Sequence, residues 1–283
     1  MKITDLRSSF HSQLKEFYPA EEIDSFFYQL VEKYLNMRRI DVALDREKML
    51  AVEQAELFKS ALLRLKKKEP LQYILGETEF YGYNFLVTPD VLIPRPETEE
   101  LVSWIVDDCG KSNEPLKILD IGTGSGCIAI SLAKQLTHAK VSALDISKDA
   151  LAIAKKNALQ NNAEINFIEA DVLNVDDFQE NYDIIVSNPP YVRELEKEQM
   201  HDNVLNNEPH GALFVTNEDP LIFYRQIAQL ASRNLKPEGT VYFEINEYLG
   251  EETCILLKNS GFVDVLLRQD MFKKDRMLKG IKS

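Results

Sequence analysis

The fold predicted for this chain depends on residues 116–126, which read Leu116-Lys117-Ile118-Leu119-Asp120-Ile121-Gly122-Thr123-Gly124-Ser125-Gly126. The first six form an apolar segment of strand length, and three glycines follow where the chain passes into a helix. Glycine permits the tight turn and the close backbone approach by which such a loop holds a ligand. From Leu116 onward, strand-like and helix-like segments alternate, which predicts a parallel, doubly wound α/β sheet.

The spacing of the glycines separates the candidate cofactors. A dinucleotide-binding loop reads GxGxxG, whereas Cys127 stands here where its third glycine would fall. Asp120 would place a carboxylate beside a pyrophosphate, but it suits the cationic amino-acid group of S-adenosylmethionine. A glycine loop alone is a weak indication, because NAD, FAD and S-adenosylmethionine sites all contain one. We expect cofactor contacts from Gly122, Thr123, Gly124, Ser125 and Gly126.

Acidic residues follow the next two predicted strands. Asp145 comes after the strand at 140–144 and 23 residues after Gly122, where an acid accepts hydrogen bonds from ribose hydroxyls. The alternative for Asp145 is an exposed helix cap. Asp171 follows the strand at 165–168, and we expect it to accept from an adenine amino group while Val172 packs on the base.

A second motif, Ser187-Asn188-Pro189-Pro190-Tyr191, follows the apolar, β-branched segment 182–186. Pro189 and Pro190 carry no N–H, so their backbone offers only acceptors. Asn188 precedes a proline and is therefore extended, with its amide directed outward, and Tyr191 adds an aromatic wall. Alone, the motif reads best as a turn that ends a strand; beside the glycine loop it predicts a rigid pocket for a planar group that carries an NH2.

The remaining sequence divides the chain into three parts. Apolar residues at helical spacing over residues 1–70 predict a small helical bundle. Aromatic alternation and glycines over 71–95 predict a hairpin linker, and residues 96–283 carry the α/β domain. Thr98 is expected to cap the first helix of that domain.

Charge restricts the partners. The 283 residues carry a net charge of −13. Residues 1–74 hold 13 Lys and Arg against 12 Asp and Glu, which leaves 20 against 34 in the remainder. So acidic a main domain is a poor match for a phosphate-rich partner and tolerates a cationic ligand or a basic protein surface better.

Cysteine spacing and hydropathy indicate the compartment. Cys109, Cys127 and Cys254 form no disulfide or metal-ligand pattern, so we expect reduced thiols and no metal. No apolar run approaches the ~18 residues of a spanning helix, and the first residues lack the apolar core of a signal peptide. These features predict a cytoplasmic protein without a membrane partner.

Taken in order, the glycine loop, Asp145 and the motif at 188–191 resemble class I S-adenosylmethionine-dependent methyltransferases that modify planar amide or amino nitrogens. Three further segments narrow the resemblance to the HemK/PrmC family of peptide chain release factor N5-glutamine methyltransferases. These are Pro70-Leu71-Gln72-Tyr73-Ile74-Leu75-Gly76, residues 91–99 with Pro94-Arg95-Pro96-Glu97-Thr98-Glu99, and Glu208-Pro209-His210-Gly211-Ala212-Leu213-Phe214. The resemblance covers essentially the whole chain. Val172 departs from it, since the family often has an adenine-stacking aromatic there.

The resemblance implies a seven-stranded, Rossmann-like methyltransferase sheet behind an N-terminal, all-α domain that recognises the substrate. It implies methyl transfer from S-adenosylmethionine, which leaves S-adenosylhomocysteine, to the glutamine N5 in the Gly-Gly-Gln loop of class 1 release factors. The implied catalytic residues are Asn188, Pro189, Pro190 and Tyr191, of which Asn188 also meets the cofactor. The Asn188 side-chain oxygen and the Pro189 carbonyl would accept the two N–H bonds of the glutamine amide. We expect a monomer that forms no stable complex with nucleic acid.

Three other functions compete with this one. A relative that methylates a glutamine of a ribosomal protein shares the glycine loop and the motif at 188–191. Its sequence usually differs from that of the HemK/PrmC family over residues 95–99, whereas this chain matches the family there. A nucleic-acid amino-methyltransferase uses a similar pocket on a flipped base, and the acidic charge argues against it. A catalytically silent cofactor-binding protein is disfavoured by the presence of Asn188 and Tyr191.

Overall fold

The computed structural model describes residues 1–109, 114–200 and 202–283. The chain forms two compact units. The first comprises residues 1–76 with the short helix at 202–207, and the second comprises residues 77–200 and 208–283. Among the described residues, no helix is both long and apolar enough to cross a bilayer.

The helices, in chain order, are α1 (Ile3–Leu14), α2 (Ala20–Leu35), α3 (Arg39–Leu44), α4 (Val52–Leu65), α5 (Leu71–Leu75), α6 (Pro96–Cys109), α7 (Cys127–Gln135), α8 (Lys148–Gln160), α9 (Asp202–Asn207), α10 (Ile222–Asn234) and α11 (Gly250–Asn259). The strands are β1 (Glu77–Phe80), β2 (Tyr83–Leu86), β3 (Leu116–Ile121), β4 (Ala139–Asp145), β5 (Ile165–Glu169), β6 (Tyr182–Ser187), β7 (Val192–Arg193), β8 (Phe214–Val215), β9 (Leu235–Glu244), β10 (Phe262–Gln269) and β11 (Asp275–Lys282). Short 3-10 turns lie at Val172–Asn174, Glu194–Gln199 and His210–Ala212.

The first unit has a core of its own, built from the apolar stripes of its helices. Phe10, Phe27 and Phe58 are fully buried at its centre. The ring of Phe10 meets those of Phe27 and Phe58 edge-on, at centroid distances of 5.6 and 6.3 Å. Such edge-to-face pairs are the arrangement that aromatic quadrupoles favour.

The predicted hairpin begins later than its sequence indicated. Leu71–Leu75 forms α5, because Leu71 and Ile74, three residues apart, both bury in the bundle core. Gly76 ends this helix with φ +76° and donates its N–H to the Gln72 carbonyl. A left-handed glycine is a common helix end. The hairpin itself is the antiparallel pair β1–β2.

The second unit is organised around a seven-stranded sheet of order β10-β11-β9-β6-β3-β4-β5. The five strands β3, β4, β5, β6 and β9 are parallel, and β11 pairs antiparallel with both β9 and β10. Alternate strand residues face opposite layers: Ile118 packs with α6 and α7, whereas Leu119 packs with α10. The predicted fold class is confirmed.

The direction of the chain across the sheet reverses between β3 and β6. These strands are neighbours, with Ile121 paired to Ser187. The residues that follow them, Gly122 and Asn188, therefore meet at the carboxyl edge of the sheet. In open α/β sheets this switch point is where ligands bind.

Candidate active site

A cavity of about 420 Å³ opens at the switch point. Its volume lies within the range of roughly 300–1,000 Å³ typical of small-molecule sites. Of the residues predicted to form the site, those that line this cavity are Gly122, Gly124, Asp145, Asp171, Val172, Asn188, Pro189 and Pro190. Apolar side chains also line the cavity, among them Leu92 from the loop before α6 and Ile227 of α10.

The glycine loop contains two kinds of glycine. Gly124 has φ +54°, and no atom lies within 4 Å of where its Cβ would stand, so its backbone borders the open cavity. A Cβ on Gly126 would lie 3.2 Å from the Cβ of Ala154 in α8 and 3.0 Å from a methyl of Ile130. Gly126 therefore allows α7 and α8 to pack closely behind the loop, and it is not among the residues that line the cavity; its predicted cofactor contact stays a prediction.

Thr123 and Ser125 also lie behind the loop, where both are buried. The Thr123 hydroxyl donates to Oδ2 of Asp120 at 2.6 Å. The Ser125 carbonyl accepts from the side-chain amide of Asn157 at 2.8 Å. Both residues therefore hold the loop in shape, and neither belongs to the lining of the cavity.

Asp120 is fully buried at the end of β3. Its Oδ1 has no hydrogen-bond partner within the described part of the chain. Burial raises the pKa of Asp120 to about 7, because the interior disfavours its charged form.

Asp145 clamps the loop from the side. Its Oδ2 accepts from the Gly124 N–H at 2.8 Å, and its Oδ1 accepts from the Ser147 N–H at 2.9 Å. The cap of α8 is the Ser147 hydroxyl, which accepts from the Ala150 N–H at 3.1 Å, so Asp145 is not itself the helix cap. Burial raises the pKa of Asp145. Each carboxylate oxygen retains a second lone pair that can accept from a ligand.

Asp171 is likewise committed to its own turn. Its Oδ1 accepts from the Leu173 N–H at 2.9 Å and its Oδ2 from the Asn174 side-chain amide at 2.6 Å. Val172 is buried and presents an aliphatic surface to the cavity. This part of the cavity thus offers an apolar wall beside a hydrogen-bonded carboxylate.

A second, smaller cavity of about 50 Å³ adjoins the first. Asn188 and Pro189 line both cavities, and Tyr191 and Glu244 line the smaller one. Arg95 also lines it, and its guanidinium pairs with the buried Glu208 carboxylate at 2.6 Å. The space is small, since a water molecule in the liquid occupies about 30 Å³. It suits a single functional group.

Two residues at this smaller cavity were not predicted in their observed roles: Glu244, which lines it, and Thr98, which is hydrogen-bonded to Glu244. Thr98 lies inside α6, which begins at Pro96, and its hydroxyl donates to Oε2 of Glu244 at 2.6 Å. Nδ2 of Asn188 lies 3.4 Å from the Thr98 oxygen, to which it donates. The Tyr191 hydroxyl donates to Oε1 of Glu244 at 2.9 Å. Glu244 is the last residue of β9, as Asp145 is the last residue of β4, so both acids lie at the carboxyl ends of parallel strands.

This network lies in the interior. Glu244 is only 1% exposed, and burial raises its pKa. Burial also raises the pKa of Tyr191. Arg276 donates to the Tyr191 hydroxyl at 3.4 Å and pairs with Asp270 at 3.1 Å. Its positive charge therefore lies near the carboxylate of Glu244, to which Tyr191 donates.

The arrangement orients groups and offers hydrogen-bond acceptors. Among the described residues, no three His, Cys, Asp or Glu side chains cluster in a way that would hold a metal ion. The side chains that line the smaller cavity include the amide of Asn188, the phenol of Tyr191 and the carboxylate of Glu244. These can position a polar ligand and stabilise positive charge on it.

Two family models match the chain: the PrmC N-terminal domain over residues 5–76 and the methyltransferase small domain over residues 105–214. The release factor glutamine methyltransferase of Flavobacterium psychrophilum is 51% identical over 281 residues, which cover 99% of each chain. The chain belongs to this family.

A second release factor glutamine methyltransferase, from Bacteroides thetaiotaomicron, is 47% identical and covers 94% of this chain and 95% of its own. Among solved structures, the T. thermophilus 16S rRNA N2 G1207 methyltransferase aligns with a TM-score of 0.54 at 20% identity, over 73% of this chain and 50% of its own. That likeness shows the shared fold alone. The family predicted from the motifs is confirmed, and the two release factor glutamine methyltransferases align with nearly the whole of this chain.

Proposed function

We propose that this family member transfers the methyl group of S-adenosylmethionine to the side-chain amide nitrogen of the glutamine in the Gly-Gly-Gln loop of class 1 release factors. The observation that carries the proposal is the pair of adjoining cavities, one of ligand size and one sized for a single group, with Asn188 and Pro189 in the wall of both. A methyl donor in the first cavity and an amide in the second would meet at that wall. The names of the relatives support the same substrate.

The larger cavity fits S-adenosylmethionine. The open space at Gly124 lets the backbone lie against the ligand, and the free lone pairs of Asp145 can accept from the two ribose hydroxyls. Asp120 lies beneath the loop, outside the lining of the cavity, and a cationic amino-acid group above it would favour its ionised form. Val172 provides an aliphatic surface for a purine ring. When bound, the cofactor supplies an electrophilic methyl group on sulfur.

The smaller cavity accounts for activation of the amide. An amide nitrogen is a poor nucleophile because its lone pair is delocalised into the carbonyl. Oδ1 of Asn188 and the Pro189 carbonyl would accept its two N–H bonds and orient its nitrogen toward the larger cavity, and the Tyr191 ring would pack on the amide plane. Positioning and acceptor stabilisation of the developing positive charge supply the rate enhancement. The methylated nitrogen becomes acidic and loses its proton afterwards, so no strong base is required.

The first unit serves to recognise the folded release factor. Two observations support this: the unit has a core of its own, and every residue that lines the two cavities lies between positions 90 and 244. Its surface carries strongly exposed apolar side chains, among them Leu44 at 80% and Val52 at 76% exposure. Exposed apolar groups of this kind are suited to contact a protein partner.

The function is tested by incubating the protein with methyl-labelled S-adenosylmethionine and one acceptor at a time. The acceptors are a class 1 release factor, the same factor with its loop glutamine changed to alanine, ribosomal protein and DNA. We expect label on the first acceptor alone. Label on the Gln→Ala factor, or on ribosomal protein or DNA in preference to the release factor, would contradict the assignment.

The role of the first unit is tested with Leu44→Ser and Val52→Ser. We expect a higher KM for the full-length release factor and an unchanged KM for a short Gly-Gly-Gln peptide. Leu159→Ser is the matched control, since Leu159 is equally exposed at 81% but lies on α8 of the second unit. Equal KM values for all three variants on the full-length factor would contradict recognition through these side chains.

A further inference from the structure

We propose that Thr98 and Glu244 are positioning residues that set the direction of the Asn188 amide, so that its oxygen rather than its NH2 is presented to the methyl acceptor. This inference rests on the proposed function, since it explains how the site selects an acceptor that donates two hydrogen bonds. Neither residue belongs to the motif at 188–191. Both reach it from elements distant in sequence, α6 and β9.

The register of the sheet brings these groups together. Ser187 at the end of β6 pairs with Phe243 of β9, so the next residues, Asn188 and Glu244, emerge side by side. The first turn of α6 places Thr98 between them, with its oxygen 2.6 Å from Oε2 of Glu244 and 3.4 Å from Nδ2 of Asn188. Thr98 is 2% exposed, so it forms these bonds away from solvent.

The direction of the chain of bonds follows from counting protons. An ionised carboxylate can only accept, and the two oxygens of Glu244 accept from Thr98 and from Tyr191. The single proton of the Thr98 hydroxyl is thereby used, and the hydroxyl has only lone pairs left for Asn188. Only the NH2 branch of the Asn188 amide can bond to a lone pair. Its Oδ1 branch is therefore left for the ligand.

The direction of these hydrogen bonds requires that Glu244 is ionised. Some of the groups around Glu244 favour its ionised form, and others oppose it. Among the described residues, the titratable groups that face Glu244 are Tyr191 after β6, Arg276 of β11, Glu97 of α6, Tyr224 of α10 and Cys127 of α7. Arg276 and the two hydroxyl donors favour the carboxylate, whereas burial and Glu97 raise its pKa. A protonated Glu244 would donate to Thr98, and the Thr98 proton would then turn toward Asn188 and favour the opposite amide orientation.

The orientation of the Asn188 amide determines which hydrogen-bonding groups the wall of the smaller cavity presents. With Oδ1 of Asn188 and the Pro189 carbonyl facing the smaller cavity, the pocket accepts hydrogen bonds and donates none from this wall. A glutamine amide satisfies both acceptors. A carboxylate in its place would face two unpaired acceptors, which is costly in a desolvated site. At this wall, the orientation set by Thr98 and Glu244 therefore favours a glutamine amide over a carboxylate, while Arg95 lines another part of the same cavity.

The first test compares Thr98→Val, which removes the hydroxyl at nearly constant volume, with Thr98→Ser, which keeps it. We expect Thr98→Val to slow single-turnover methyl transfer to the release factor by at least ~10-fold, less than the ~100-fold of a failed positioning contact because Asn188 itself is retained. Its dissociation constant for S-adenosylmethionine should stay within about twofold of wild type, since the glycine loop is untouched. Thr98→Ser should restore transfer to within about threefold, because the hydroxyl is retained.

Thr253→Val is the matched control. Thr253 is also fully buried and its hydroxyl also donates a 2.6 Å bond, but to the carbonyl of Leu249, the residue that precedes α11. Its melting temperature should fall as that of Thr98→Val does, while its transfer rate should match wild type. Equal transfer rates for Thr98→Val and Thr253→Val would overturn the inference.

The second test uses Glu244→Gln and the pH profile. Wild-type transfer should fall as the pH drops through the raised pKa of Glu244, because protonation reverses the bond to Thr98. Glu244→Gln should be slower at neutral pH and should lack that acidic limb. A Glu244→Gln profile that superimposes on the wild-type profile would overturn the role of Glu244.

A measurement independent of turnover separates this inference from the proposed function. The side-chain NH2 of Asn188 can be observed in spectra of 15N-asparagine-labelled protein and assigned by its loss in Asn188→Asp. Thr98→Val should shift that resonance and Thr253→Val should not. An unchanged resonance would overturn the inference even if wild type methylates the release factor. A shifted resonance together with no methylation of any release factor would support the network and count against the proposed function alone.

Discussion

The two sides of the site are built by different means. On the proposed cofactor side, which is the larger cavity, the oxygens of Asp145 and Asp171 accept chiefly from the backbone N–H groups of Gly124, Ser147 and Leu173. On the proposed substrate side, around the smaller cavity, the contacts join the side chains at positions 98, 188, 191 and 244. The first arrangement depends on where the backbone goes. The second depends on the identity of each side chain.

This difference has a consequence for substitution. A backbone N–H is present in almost any residue, so the cofactor side is most sensitive where conformation is special, as at the glycines. In a buried side-chain network every lost partner leaves another group unpaired. We therefore expect cofactor-side substitutions to change cofactor affinity and substrate-side substitutions to change the transfer step.

Gly124→Val should have the largest effect, a loss of measurable S-adenosylmethionine binding, because a side chain at this position would enter the cavity. Gly82→Val is the control for backbone strain: Gly82 also has positive φ and open space around it, but it lies in the β1–β2 turn. Calorimetry should find near wild-type affinity for Gly82→Val. Wild-type affinity for Gly124→Val would remove the loop from the site.

Asn188→Ala and Asn188→Asp should lose turnover by at least ~100-fold, the scale of a failed positioning or oxyanion contact. Both should bind S-adenosylmethionine nearly normally, because Asn188 forms only one part of that cavity. The measurement is single-turnover transfer to the release factor, with cofactor affinity determined in parallel. Robust methylation by Asn188→Ala would contradict the expected difference between the two sides, since the substrate side would then not depend on side-chain identity.

Asp145→Ala should weaken cofactor affinity about tenfold or more, the equivalent of roughly 1.5–3 kcal/mol for charge-assisted hydrogen bonds. Transfer at saturating cofactor should remain close to wild type, which sharpens the contrast with Asn188. Asp149→Ala, in the exposed first turn of α8, is the matched control and should change neither quantity. An unchanged dissociation constant in Asp145→Ala would leave Asp145 with a structural role only.

Asp120→Asn should have the smallest effect on cofactor binding, because Asp120 does not line the cavity, and its main effect should be on the pH dependence of stability. The folded-state pKa of Asp120 is about 7 against an ordinary value of 3.8, so the folded protein binds the extra proton between these values. Its contribution to stability therefore declines as the pH rises through this window, by at most about 1.4 kcal/mol per pH unit.

The comparison is a series of thermal melts from pH 4 to pH 8 in the absence of cofactor. Wild type should lose more stability than Asp120→Asn as the pH rises. Parallel curves for the two proteins would show that Asp120 does not titrate in this range.

Local pattern determined much of this protein. Strand-length apolar segments, each followed by glycine or an acid, were enough to predict the α/β sheet, since parallel strands bring their carboxyl ends to one edge. The cavity-lining positions Gly122, Gly124, Asp145 and Asn188 were predicted for that reason, because each directly follows a strand or lies in a turn. The helical spacing of the bundle's apolar residues predicted the first unit, although α5 was assigned to the hairpin.

Tertiary structure decided which loop residues face the cavity and which support it. Thr123, Ser125 and Gly126 share a motif with Gly124, yet they face Asp120, Asn157 and Ala154 behind the loop. Likewise, the bond from Thr98 to Glu244 joins positions 146 residues apart. Local sequence cannot specify such a pair, because it depends on the parallel register of β6 and β9 and on the placement of α6 against their ends.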